Sequence, residues 1–87
     1  MSNPRAVVQS VARASTLLRV LAAQCGYMPL GAIAAAARLP KSTTHGLLQT
    51  LVAEQFVEHD AERGCYRLSA DLTLVDRRGL TGITHRP

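Results

Sequence analysis

Residues 41–49 crowd six hydrogen-bonding side chains into nine positions: Lys41, Ser42, Thr43, Thr44, His45 and Gln49. On a helix, Ser42, His45, Gly46 and Gln49 fall at i, i+3, i+4 and i+7 and therefore share one face. Short hydroxyls near a helix N-terminus can bind phosphate oxygens or base edges, and a glutamine can pair bidentately with adenine. That is the chemistry of binding a polyanion with readable edges. Catalysis is a poorer fit. No serine, cysteine or histidine stands in a recognisable triad motif, no glycine-rich phosphate loop is present, and the acids Glu54, Glu58, Asp60 and Glu62 cluster where no cavity is expected. His45, His59 and His85 show neither the H-x3-H nor, with Cys25 and Cys65, the C-x2-C spacing of a zinc site. No enzyme activity, metal or cofactor is expected.

Charge separates along the chain in the same sense. Residues 1–53 carry Arg5, Arg13, Arg19, Arg38 and Lys41 and no acid, a balance of +5. Residues 54–69 set Arg63 and Arg67 against four carboxylates, a balance of −2, and residues 70–87 return +1, giving the net +4 of the whole. A basic first half attracts polyanions by steering and counterion release. No apolar run reaches the roughly 18 to 20 residues of a membrane helix, and Met1–Arg5 does not open a secretion signal. A cytoplasmic protein with no membrane partner is expected, with Cys25 and Cys65 as buried free thiols.

Several elements must hold these side chains in place. In a chain of 87 residues, 47% apolar and rich in alanine, one small and mostly helical core is possible. Residues 1–9 read as a flexible N-terminal arm. From Ser10, the repeat Val11, Ala14, Leu17, Leu18, Leu21 and Cys25 predicts a helix over about 10–24, ended by Gly26. Pro29 fits the first turn of a second helix running to Ala37, with Leu30, Ile33, Ala34 and Ala37 inward. The Arg38-Leu39-Pro40 break leads into a third helix whose apolar stripe is Thr44, Leu47, Leu48, Leu51 and Val52. Residues 56–60 and 65–69 predict a two-stranded hairpin about the turn 61–64, with Tyr66 and Leu68 inward, Arg67 outward and Val57 across from them. Residues 70–87 read as a weak helix or disordered tail.

Three helices with a tight break before the third, then a hairpin, describe a mainly α winged helix-turn-helix domain over residues 10–69, in which the third helix can enter a DNA major groove. The stretches VVQSVARASTLLRVLAA, LPKSTTHGLLQTLVAEQFVEHD and CYRLS resemble the N-terminal DNA-binding domain of IclR-family bacterial transcriptional regulators, over about residues 7–70. The resemblance implies a recognition helix over 40–55, with Lys41, Ser42, Thr43, Thr44, His45 and Gln49 on or near the DNA. Lys41 and Arg38, with Arg13 or Arg19 at the flank, suit phosphate contacts, and Arg63 and Arg67 would set the wing on backbone or minor groove. Three positions depart from the family pattern. Arg38 stands at the usual turn glycine, Gln55 at the glycine before the wing, and Gly46 where an arginine is common.

The reading is therefore sequence-specific binding of double-stranded operator DNA, as a homodimer. Members of the family usually continue into a ligand-sensing domain, so no small-molecule effector site is expected within these residues. The alternative is a winged-helix module that heterodimerises with, or antagonises, a full-length regulator. RNA fits less well, because Tyr27, Phe56 and Tyr66 are the only aromatics available for stacking.

Overall fold

The computed structural model describes residues 7–70; the expected tail from 71 onward and most of the expected arm lie outside them. Helix α1 spans Gln9–Ala22, strand β1 Met28–Pro29, helix α2 Leu30–Ala37, helix α3 Lys41–Ala53, strand β2 Val57–Asp60 and strand β3 Cys65–Leu68. The fold is mainly α, with three helices and a small antiparallel sheet ordered β1-β3-β2. The hairpin is present in the expected register, with Val57 opposite Leu68 and His59 opposite Tyr66.

The sheet has one strand more than the sequence predicts. Met28 pairs with Tyr66 and Pro29 with Cys65, and Pro29 caps α2 from outside instead of entering its first turn. A two-residue strand has too few positions for alternation to show. It also sits at an edge, where proline's missing N–H is harmless.

The helices pack because each offers one apolar stripe to a common centre. Leu17 and Leu21 of α1, Ile33 of α2, and Leu48 and Leu51 of α3 meet Met28, Val57, Tyr66 and Leu68 of the sheet. Truncating a side chain such as Leu48, which has no exposed surface, to alanine costs about 2–5 kcal/mol. Burial also pushes the Tyr66 phenol above its ordinary pKa, and its ring stacks on His59 at 4.3 Å between centroids.

Both ends of the α1 stripe need correction. Val11 is 63% exposed, as are its neighbours Val7 and Val8 to a similar degree. The helix stops at Ala22, so Cys25 lies past it and is exposed, while Cys65 is half-buried; both thiols are free. The apolar period of α1 persists for one turn at each end beyond the part that reaches the core.

Candidate nucleic-acid interface

Helix α3 is held by Thr44, Leu48 and Leu51, all buried, which fixes its rotation about its own axis. Lys41, Ser42, His45, Gly46 and Gln49 then point to solvent, and Thr43 is half-buried at the margin. Thr44 must be removed from the candidate contacts. Its side chain is fully buried, and its hydroxyl donates to the Pro40 carbonyl at 2.9 Å, so it satisfies its polar atom inside the first turn. The hydroxyl marked it as polar; its methyl put it on the apolar stripe, and packing won.

No side chain caps the N-terminus of α3, which follows Pro40 directly. Ser42 is therefore not a cap, and its hydroxyl is exposed. The partial positive charge of this helix end lies beside Lys41. The Lys41 stem runs back along the first turn of α2, where a Cβ on Gly31 would lie 3.6 Å from Lys41 Cε and 3.9 Å from Nζ. Those are ordinary van der Waals distances, so the Lys41 side chain rests near Gly31 without requiring a glycine there.

The turn that aims α3 is a Schellman closure. The Leu39 N–H donates to the Ala34 carbonyl at 3.0 Å and the Arg38 N–H to Ala35 at 3.2 Å, which requires a left-handed residue between helix and turn. Arg38 fills that place with φ 59° and ψ 45°. The end of α3 repeats the device. Phe56 donates to Leu51 and Gln55 to Val52, both at 2.9 Å, and Gln55 takes φ 70°. The two positions where glycine was missing are thus the two described non-glycine residues with positive φ. Each carries strain of about 1–2 kcal/mol that glycine would avoid.

Arg13, Arg19 and Arg38 are exposed, and no acid stands in residues 9–53 to pair with them. Arg13 and Arg19 lie six positions apart, so they point about 120° away from each other around α1 and cannot serve one docking face equally. The wing is different. Arg63, at its tip, sits 3.7 Å from Asp60, whose Oδ1 also accepts the Glu62 and Arg63 N–H groups and so builds the turn. Arg67 donates from Nε to Glu58 at 2.8 Å, and its guanidinium lies 4.6 Å from the Tyr27 ring centre. The Glu58 bond, with Tyr27 beside it, lifts the Arg67 pKa still further above the ordinary arginine value. Tyr27 could not be placed against Arg67 from sequence, because that neighbourhood exists only once β1 joins β3.

Among the described residues no cluster of three His, Cys, Asp or Glu side chains could hold a metal ion, and no helix is long and apolar enough to cross a membrane. What remains is a helix-turn-helix with an uncapped, acid-free third helix facing outward and a hairpin beside it. That arrangement is a winged-helix DNA-binding domain of a transcription regulator. The model of the IclR helix-turn-helix domain matches residues 10–61. This chain belongs to the IclR family.

The glycerol operon regulatory protein of Streptomyces coelicolor is 45% identical over 65 residues, covering 75% of this chain and 26% of that protein. The transcriptional repressor IclR of Escherichia coli is 36% identical over 83 residues, covering 90% of this chain and 30% of the repressor. Among solved structures, an IclR transcriptional regulator from Alicyclobacillus acidocaldarius superposes with a TM-score of 0.71 at 31% identity, over 83% of this chain and 29% of that one. A family member from Brucella abortus gives a TM-score of 0.74 at 28% identity, over 93% and 30%. The chain spans less than a third of the length of each of these proteins. Neither relatives nor structures support the heterodimerising alternative.

Proposed function

We propose that this chain binds double-stranded operator DNA sequence-specifically, in the cytoplasm and as one half of a homodimer. The observation that carries the reading is the outward face of α3, where Lys41, Ser42, His45 and Gln49 stand exposed on a helix without a carboxylate. Ser42, His45 and Gln49 read base edges, with Thr43 at the margin, while Lys41 and Arg38 hold phosphates at the helix entrance. Arg63 brings the wing to the backbone, and either Arg13 or Arg19 adds a flanking phosphate contact.

Dimerisation follows from reach. One 13-residue helix reads only a few base pairs in one groove segment. Two copies on half-sites roughly 34 Å apart, one helical turn, double the reading and impose near-palindromic symmetry. The relatives' names include repressors and operon regulators, and transcriptional control is the role proposed here. Selection from random duplex DNA, followed by a gel-shift titration across salt, tests the reading. A palindromic consensus is expected, with log affinity falling by about 0.9 per phosphate neutralised for each unit of log salt. A flat salt dependence overturns it.

A further inference from the structure

Glycine in the middle of a helix is unfavourable, whereas the positive-φ glycines of this fold have a backbone reason: Gly26 has φ +139° and Gly64 φ +67° in the wing turn. Gly46 has no such reason. Its φ is an ordinary helical one, a Cβ built on it meets nothing within 4 Å, and it is exposed. Neither packing nor backbone geometry within the chain asks for glycine there, although alanine would suit the helix better.

Its position explains what could. Gly46 lies one turn after Ser42 and three residues before Gln49, with His45 alongside, at the centre of the face directed at the duplex. A missing side chain at that point leaves a shallow gap floored by apolar Cα and flanked by Ser42, His45, Gln49 and Thr50, whose hydroxyl is turned back onto the Gly46 carbonyl at 3.3 Å. Such a gap offers no donor or acceptor to a base edge, so it cannot select guanine, cytosine or adenine by pairing. It does match the one apolar group in the major groove, the 5-methyl of thymine.

We propose that Gly46 is a specificity-determining residue, a gap in the recognition face that receives a thymine methyl between the base positions read by Ser42 and Gln49. The inference rests on the DNA-binding reading above and deepens it. A guanidinium in the same place would instead reach the O6 and N7 acceptors of guanine, so the identity of residue 46 sets the base at one position of each half-site.

The test selects consensus sequences for the wild-type chain, Gly46→Ala and Gly46→Arg, then replaces each thymine of the wild-type half-site by uracil in turn. Alanine improves the helix, so a rise in melting temperature certifies that this variant is folded. The wild type is expected to prefer thymine at the central position and to lose about fourfold in affinity when that methyl alone is removed. Gly46→Ala should lose the dependence on that methyl, and Gly46→Arg should convert the preference there to guanine, with flanking positions unchanged. A wild-type consensus that neither variant alters, or one indifferent to every uracil, overturns the role of Gly46 and leaves DNA binding intact. A wild type that selects no consensus at all overturns both.

Discussion

The helical half and the wing hold their cations in different states. Between residues 9 and 53 stand Arg13, Arg19, Arg38 and Lys41 with no carboxylate. In residues 54–69 four carboxylates outnumber two arginines, and both arginines are engaged, Arg63 with Asp60 and Arg67 with Glu58. A basic residue count therefore misjudges where the polyanion grip lies. An unpaired surface cation contributes its full field, whereas an arginine already bonded to a carboxylate is locally neutralised and must exchange one partner for another. On the proposed reading the helices supply the attraction, while the wing arginines are engaged by its own carboxylates.

The largest test of that division is Lys41→Glu. Lys41 is exposed and outside the core, so the fold should survive. Reversal removes one attraction and adds one repulsion, about 2–3 kcal/mol near a surface, or roughly 30- to 150-fold in operator affinity at low salt. Fluorescence anisotropy across salt should show the loss shrinking as salt rises. An unchanged affinity would move the grip away from the entrance of α3.

The two left-handed caps sharpen the comparison, since they share a geometry and differ in charge and place. Arg38→Gly should relieve strain and raise unfolding stability by roughly 0.5–1 kcal/mol, after allowance for the greater freedom of glycine in the unfolded chain. It should also weaken DNA binding about 5- to 10-fold, because a phosphate contact is lost. Gln55→Gly should give the same stabilisation with no change in affinity. Denaturant unfolding and anisotropy on the same two variants separate the terms. If Arg38→Gly binds DNA as tightly as Gln55→Gly does, Arg38 is only a cap.

Those two residues also mark how far sequence carries. The apolar stripes of α2 and α3 were legible because helix period and core burial coincide: Ile33, Ala34, Leu48 and Leu51 are all buried. The hairpin was legible from Tyr66 and Leu68 alternating about Arg67. The outward set Lys41, Ser42, His45 and Gln49 followed from the stripe opposite. What escaped depended on contacts between distant residues. Strand β1 is defined only by its pairing with β3, the seat of Lys41 only by Gly31 across the turn, and the engagement of Arg67 only by Tyr27 and Glu58 from two other segments. Thr44 was read both ways, as part of the apolar stripe, where it lies, and as a DNA contact, which its burial excludes. A threonine has two faces, and side-chain type alone could not say which one the helix would bury.

Arg67 gives the smallest expected effect and the sharpest sign. Were it a free wing contact, Arg67→Ala would weaken DNA binding much as loss of a helical cation does. Held by Glu58 and stacked over Tyr27, it should lower affinity by only about two- to threefold on removal, because no phosphate contact is broken and the loss comes from the exposed Glu58 carboxylate left behind. Glu58→Gln then acts in the opposite direction. It deletes a carboxylate from the wing and releases the guanidinium, so affinity should rise by about two- to threefold and its salt dependence should steepen. Paired measurement of the two variants by anisotropy decides the matter: a large loss with Arg67→Ala and no gain with Glu58→Gln would make the wing an equal partner of the helices and dissolve the distinction between the two halves.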